Sequence, residues 1–185
     1  MAVTELEGVI LGIVSSRQPC SAYVVRSRFE ESPTWGWRKS KGAIYPAVSR
    51  LVARGCLASE RTREGRVQKE LLSLTPSGKT ELVGWMLALG EEMGGAPVDP
   101  VRTRVNYLGN LSPTEREGFL SRAEEAARRA LAKATLAISD QQATDHWTLQ
   151  AAALGVQMQI STKIEWLRRV RELMTSPDGA DCAAE

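Results

Sequence analysis

The spacing of apolar residues changes at Gly55, and no other feature of the sequence restricts the fold as strongly. Before Gly55, apolar residues recur every three or four positions, which is the period of an α-helix. After it, two short runs, Cys56 to Arg63 and Arg66 to Leu74, flank Glu64-Gly65, where glycine readily supplies the positive φ of a hairpin turn. The sequence therefore predicts several helices followed by one β-hairpin.

Three helices are predicted ahead of the hairpin. The second begins after an N-cap at Ser21 and ends near Glu31, and the third begins after Ser40 and stops at Gly55. Pro46 removes a backbone donor inside the third helix, so we expect that helix to start late or to bend. The predicted inward residues of the three helices are Leu6, Ile10 and Ile13, then Val24, Val25 and Phe29, then Ile44, Val48 and Leu51.

A fourth helix is predicted after the hairpin, because Thr75-Pro76 provides an N-cap followed by proline at the first helical position. Its predicted inner face carries Leu82, Met86 and Leu89. The order helix, helix, helix, hairpin, helix is that of a winged helix-turn-helix domain, which we place at residues 1–93. Such domains set the third helix in the major groove of DNA and the hairpin over the backbone.

Residues 97–175 are predicted to form a second, helical domain, and residues 176–185 a disordered tail. Asp99-Pro100 predicts a short helix that closes at Gly109, and Ser112 and Glu115 have the spacing of a capping box that opens a long helix to about Ile138. The predicted packing face of this helix carries Phe119, Ala123, Ala126 or Ala127, Ala130, Ala134 and Ala137.

The last helix, from about Asp145 to Met174, presents more apolar surface than contact with its own chain requires. One line comprises Trp147, Ala151, Leu154 and Met158, and a second line comprises Ile160, Ile164, Leu167 and Met174. A soluble monomer would leave a large apolar patch exposed, so we expect packing on a second copy as well. Homodimer contacts are expected at Trp147, Leu154, Met158, Ile164 and Leu167. The predicted fold class is mostly α: an N-terminal winged helix-turn-helix and a C-terminal helical dimerisation domain.

The net charge of +2 conceals an uneven distribution of charge. Residues 1–80 contain 13 Lys and Arg against 7 Asp and Glu, and the rest of the chain contains 11 against 15. A basic first half indicates a polyanionic partner, and double-stranded DNA fits it. The expected DNA contacts are Lys39, Ser40, Lys41, Gly42, Tyr45, Ser49 and Arg50 around the third helix, and Arg63, Arg66 and Lys69 on the hairpin. A solvated charged surface is the alternative for these groups, and core packing is the alternative for Tyr45.

The sequence offers few residues for catalysis or metal binding. His146 is the only histidine, and the cysteines, Cys20, Cys56 and Cys182, fit neither a disulfide framework nor a zinc ligand set. We expect no enzyme activity, metal or cofactor. Cys20 and Cys56 are interpreted as packing residues, with redox sensing as the alternative. No long apolar run and no basic leader is present, so we expect a cytoplasmic protein without a membrane partner.

Three N-terminal motifs, GAIYPAVSRL at 42–51, GCL at 55–57 and LTPSG at 74–78, resemble the signature of PadR-like regulators. Two later segments, 107–112 and 165–167, are similar to the dimerisation part of the longer members. The resemblance implies a dimeric repressor, often of detoxification, efflux or phenolic-acid genes, that a small ligand or other signal releases. It also implies that Tyr23 contacts the DNA backbone, with packing as the alternative.

Two positions depart from the pattern of that family. Ala22 precedes Tyr23 where the family often has glycine, and Gln68 to Leu71 replace a basic and aromatic run in the second hairpin strand. We hypothesise a homodimeric repressor that binds a palindromic operator, with Trp147 stacking on a flat aromatic effector in the dimer cleft. The rival hypothesis is a winged-helix module that binds protein or ligand but no specific DNA, and a loss of DNA binding would favour it.

Overall fold

The computed structural model describes residues 3–32, 41–64, 67–142 and 147–176, and the chain divides into two compact units, residues 1–96 and 97–185. In the first unit the main elements are α1 Glu5–Arg17, α2 Ala22–Glu31, α3 Lys41–Ala53, β1 Leu57–Glu64, β2 Val67–Leu74 and α4 Pro76–Leu87. In the second they are α5 Pro100–Val105, α6 Pro113–Gln142 and α7 Trp147–Thr175. Short 3₁₀ turns occur at Glu91–Gly94 and Leu108–Asn110. The predicted order of helices and hairpin is confirmed.

The starts of α2, α4 and α6 lie where the sequence predicts them, because each cap is a local contact, whereas the predicted start of the last helix near Asp145 lies outside the described residues. The hydroxyl of Ser21 accepts a hydrogen bond from the Val24 amide at 3.4 Å, and that of Thr75 accepts one from the Gly78 amide at 2.9 Å. In α6 the Ser112 amide donates to Glu115 Oε2 at 2.9 Å, and the Glu115 amide donates back to Ser112 Oγ at 3.4 Å. The predicted capping box is therefore confirmed.

One apolar core holds the first unit together, and it includes the predicted inward residues of α2 and α3. Its most deeply buried large side chains are Ile10, Leu11, Val14, Val25, Phe29, Ile44, Leu51, Leu57 and Leu72. The three helices contribute to this core together with the base of the hairpin. Burying this apolar area is what stabilises the orientation of α3.

The expectation that Pro46 delays the start of α3 is wrong. The helix runs from Lys41 to Ala53 with Pro46 inside it. A proline at this position removes the donor for the carbonyl of Gly42, and both residues are exposed, so water can satisfy that carbonyl. The proline is tolerated because it lies near the beginning of the helix and on its outer face.

The base of the hairpin is tied to the segment between α1 and α2. The strands pair antiparallel from Leu57 with Leu74 to Glu64 with Val67. Cys20 adds a further bridge to Leu72, with N to O distances of 3.1 and 2.7 Å. These backbone bonds fix where the hairpin leaves the helices, and they bury the Cys20 side chain.

The predicted inner face of α4 is only partly correct. Leu82 is buried, but Met86 is exposed, and Leu89 lies beyond the end of the helix and is exposed as well. Trp85 packs against the core instead. Its indole lies on Gly8 of α1, where a Cβ would come within 2.3 Å of the ring. The absence of a side chain at Gly8 therefore decides which face of α4 turns inward.

In the second unit, α6 and α7 pack against each other. The buried side chains of α6 are Leu120, Ala127 and Ala134, spaced seven residues apart. This corrects the predicted alanine face, because Ala126 and Ala130 are exposed and Phe119 is only half-buried. A strict seven-residue repeat follows one partner helix, as in a coiled coil.

Ion pairs add to this packing. Lys163 Nζ of α7 lies 2.7 Å from an Asp99 carboxylate oxygen, and Arg171 reaches Glu117 at 3.1 Å and Glu124 at 2.9 Å. Burial raises the pKa of Asp99, but hydrogen bonds from Lys163 and the Val101 amide lower it below its ordinary value. These pairs align α5 and α6 with α7.

The cysteines that the structure describes are core residues. Cys20 and Cys56 are both free and buried. Burial raises the pKa of the Cys20 thiol, which reduces its thiolate fraction. This favours the packing interpretation over redox sensing, and Cys182 lies outside the described residues. In the described ranges, no three His, Cys, Asp or Glu side chains gather into a metal site, and no helix has the apolar length needed to cross a bilayer.

Candidate nucleic-acid interface

The outer face of α3 is exposed and built mostly of small residues. Its inner face, Ile44, Ala47, Val48 and Leu51, is buried in the core. The outer face carries the exposed residues Gly42, Ala43, Tyr45, Pro46, Ser49, Arg50 and Ala53. Nothing lies within 4 Å of the position that a Cβ of Gly42 would occupy. A helix with such small outer side chains can bring its backbone close to a flat or grooved partner.

The flanks of α3 are supported by its neighbours. The Arg26 guanidinium of α2 hydrogen-bonds to Glu30 and to Tyr45, and these two hydrogen bonds raise the pKa of Arg26 above its ordinary value. On the opposite flank, Arg50 Nε donates to Glu7 of α1 at 2.9 Å. Tyr45 is 45% exposed, so part of its side chain is open to a partner while the rest packs against the protein. The first turn of α3 also offers backbone N–H groups for an anion.

The sequence segment that contains α3 has only basic charges. Residues 32–59 contain no Asp or Glu, and they contain Arg38, Lys39, Lys41, Arg50 and Arg54. Tyr23, near the start of α2, is 64% exposed, so packing does not account for it. The described part of this surface is thus open, hydroxyl-bearing and basic, which suits phosphate contacts.

The hairpin supplies further basic positions. Lys69 of β2 is exposed and lies opposite Thr62, and Arg63 lies opposite Gln68. Arg61 is also exposed, opposite Glu70, and the sequence analysis missed it. Its position two residues before Arg63 on the same strand could have revealed it.

Part of the predicted interface lies outside the described residues. Lys39, Ser40 and Arg66 belong to this part. Lys41 begins α3, and Arg63 lies within β1, but the structure describes only their backbone. The described interface residues from the prediction are therefore Tyr23, Gly42, Tyr45, Ser49, Arg50 and Lys69.

The predicted dimer residues divide into two groups on α7. Trp147, Leu154 and Met158 are 75%, 52% and 61% exposed, and Leu149, which the sequence analysis missed, is also exposed. Leu167 is fully buried, and Ile164 is half-buried. This corrects the placement of Leu167, because packing inside the protomer leaves none of its side chain for a second copy. The exposed apolar line lies in the N-terminal half of α7.

Comparison with known proteins connects this architecture to a family. Residues 10–83 match the model of the transcriptional regulator PadR-like family. This segment of the chain is therefore similar to PadR-like regulators. Over 83 residues it is 31% identical to the negative transcriptional regulator PadR of Bacillus subtilis strain 168, and that match covers 44% of this chain and 45% of the relative. The sequence similarity thus spans less than half of the relative's length.

Solved structures of the family share the fold. B. subtilis PadR in complex with operator DNA matches with a TM-score of 0.81 at 19% identity, over 92% of this chain and 99% of that one. A PadR-like regulator from Bacillus cereus, BC1756, matches with a TM-score of 0.73 at 20% identity, over 91% and 98%. B. subtilis PadR in complex with p-coumaric acid matches with a TM-score of 0.74 at 18% identity, over 92% of this chain and 96% of that one. The predicted mostly helical fold, a winged helix followed by a helical region, is confirmed.

The family motifs have a structural explanation in this chain. GAIYPAVSRL forms the first ten residues after Lys41 in α3, and the Gly55 of GCL has a φ of +69°, which ends that helix. In LTPSG, a Cβ on Gly78 would come within 2.0 Å of the Cys56 carbonyl oxygen. The motifs thus set how α3, β1 and α4 meet.

Proposed function

We propose that the chain is a sequence-specific DNA-binding transcriptional regulator that represses as a homodimer on a palindromic operator. The observation that carries the proposal is the outer face of α3, which is exposed, small in its side chains and set in a segment with five basic and no acidic residues. The match of residues 10–83 to a family of transcriptional regulators supports it, as does a protein of the same fold whose structure was solved with operator DNA.

Each predicted contact has a role in this proposal. Lys41 and Arg50 neutralise phosphates beside the groove, together with Lys39 and Ser40. The first turn of α3 lets the backbone at Gly42 approach a phosphate, and Tyr45 and Ser49 offer hydroxyls to the DNA. Tyr23 contacts the backbone from α2. The hairpin residues Arg63, Arg66 and Lys69 contact flanking phosphates, so affinity falls as salt rises.

The second unit supplies the dimer. On α7, packing within the protomer leaves three large apolar side chains exposed, namely Trp147, Leu154 and Met158. A second copy that packs on this line would bury all three in each protomer. A two-fold axis between protomers requires two equivalent half-sites on the DNA, which is why the operator is expected to be palindromic. We assign residues 1–93 to DNA binding, 97–175 to dimerisation and 176–185 to a tail.

A small aromatic effector fits the same proposal. B. subtilis PadR has been solved with p-coumaric acid, a flat aromatic acid. Trp147 is 75% exposed and offers a large ring on which such a molecule can stack. The proposal assigns the chain no catalytic role and places it in the cytoplasm, where its DNA partner lies.

The test is a mobility shift with purified full-length protein and duplex DNA from around its own gene, at several salt concentrations and with unrelated competitor DNA. A salt-sensitive shift that survives competitor is the expected result. A Lys41→Ala, Arg50→Ala variant should bind about 10-fold more weakly or worse, with a shallower salt slope. The matched control, Arg128→Ala with Lys133→Ala on exposed positions of α6, should bind like the parent. Only weak, fully competed binding would favour the interaction-module hypothesis.

A further inference from the structure

Glu7 is the one charged residue that is buried among those the structure describes. Its side chain is 5% exposed, although it lies in the first turn of α1. A carboxylate removed from water is costly unless it is paired and hydrogen-bonded. The Glu7 carboxylate therefore requires hydrogen-bond donors or cations beside it, and the identity of these groups indicates its role.

Both oxygens of the Glu7 carboxylate have partners. Oε2 accepts from the Thr4 amide at 3.2 Å, which completes a capping box, and lies 3.6 Å from Arg54 Nη1. Oε1 accepts from Arg50 Nε at 2.9 Å. Burial raises the pKa of Glu7, but the hydrogen bonds from Thr4 and Arg50 outweigh it and lower that pKa below its ordinary value. The carboxylate is therefore charged at neutral pH.

Glu7 holds Arg50 by one edge only. The Arg50 side chain is 55% exposed on the outer face of α3, and within the described ranges its sole partner is Glu7, through Nε. A guanidinium has five N–H donors in a rigid plane, so four remain for an anion. Arg54 differs, because it reaches both Glu7 and Glu81, the latter at 3.7 Å, and only 30% of its side chain is exposed.

We propose that Glu7 is a positioning residue for DNA binding: it fixes Arg50 through Nε so that the terminal amino groups of Arg50 face one DNA phosphate. The inference rests on the proposed function. Fixing a long side chain before binding reduces the entropy that it loses in the complex. Long-range electrostatics alone gives the opposite expectation, since a carboxylate near the interface repels DNA of any sequence. The two explanations therefore predict opposite changes in the affinity for the selected DNA when Glu7 is replaced by a neutral residue.

The experiment compares Glu7→Gln with the full-length parent by fluorescence anisotropy. The specific probe is a duplex that the parent selects from a random-sequence library, and the non-specific probe is an unrelated duplex of equal length. Positioning predicts that Glu7→Gln binds the selected duplex about 3- to 10-fold more weakly, whereas loss of a repelling charge alone predicts tighter binding of both duplexes. Glu81→Gln removes a charge near Arg54 without touching Arg50, and should show no such loss. Equal or tighter binding of the selected duplex by Glu7→Gln overturns the proposal.

Arg50 variants keep the test decisive if Glu7→Gln folds poorly. Arg50→Lys retains the charge, but its ammonium group lacks the planar set of donors that Glu7 can fix through one edge. It should therefore bind the selected duplex more weakly than the parent, but less weakly than Arg50→Ala. In an Arg50→Ala background, Glu7→Gln should have no further effect, and a full additive loss would refute positioning. If Arg50→Ala binds the selected duplex like the parent, this inference fails while the proposed function stands. Failure to select any duplex defeats the proposed function itself.

Discussion

The two units of the molecule differ in the size of the apolar core that each one encloses. Among the described residues, the first unit encloses one core to which α1, α2, α3, α4 and the hairpin all contribute. The second consists largely of α6 and α7, and its buried apolar residues in the described ranges are Leu120, Ala127, Ala134 and Leu167. Because so few of their side chains are buried, these two long helices have apolar surface that their own chain does not cover. The first unit thus has a core to which all of its main elements contribute, whereas the second buries few side chains and has surface for a partner.

The largest expected effect concerns that uncovered surface. Changing Leu154 and Met158 to Glu places four carboxylates in a dimer interface, and we expect the dimer dissociation constant to rise at least about 100-fold. Sedimentation velocity over a concentration series measures it. Leu173→Glu is the matched control, because Leu173 is 68% exposed on the same helix but lies near its other end. A double variant that still sediments as a dimer would show that the second unit does not associate through this surface.

The second prediction concerns the close fit of the first unit. Gly78→Ala forces a Cβ against the Cys56 carbonyl, and we expect it to lower the free energy of unfolding by about 2 to 3 kcal/mol. Gly84→Ala on the same helix meets open space and should be neutral or stabilising by up to about 1 kcal/mol. Chemical denaturation of both variants measures the difference. If the Gly78→Ala and Gly84→Ala variants were equally stable, α4 and β1 would not fit closely, and the proposed difference between the units would be wrong.

The smallest effect separates an ion pair from a helix cap in the second unit. Asp99 caps α5 through the Val101 amide at 2.8 Å and pairs with Lys163. Asp99→Asn retains a capping oxygen but loses the ion pair, and should cost about 0.5 kcal/mol; Asp99→Ala loses both, at about 1 kcal/mol more. Thermal unfolding at pH 7 ranks the two variants. An Asn variant as unstable as the Ala variant would assign the whole effect to the ion pair.

The same residue gives a pH dependence whose sign follows from its pKa. The pKa of Asp99 is lower in the folded chain than in the unfolded chain. Its contribution to stability is therefore present above about pH 4, the unfolded value, and is lost as pH falls through the folded pKa. We expect Asp99→Asn to lose less stability than the parent between pH 5 and pH 3, measured by thermal unfolding. Parallel pH profiles would contradict this.

Local chemistry explains which predictions from the sequence succeeded. The caps at Ser21, Thr75 and Ser112 depend on residues three positions apart, so the residues themselves specify where the helices begin. The hairpin depends on two adjacent runs around Glu64-Gly65. The winged-helix order of elements follows from these local features, whereas the DNA-facing role of α3 stays a prediction.

Contacts between distant residues were decided only by the tertiary structure. Trp85 turns inward because Gly8, 77 positions earlier, has no side chain to obstruct it. Glu7 pairs with Arg50 across 43 positions, and Leu167 is buried while Met158 on the same helix is exposed. Helical periodicity gives the apolar residues of a helix but not which neighbour covers them. The sequence by itself determined the elements and their order, whereas packing decided which side chains were buried and which stayed exposed, because burial depends on neighbours that lie far away in the chain.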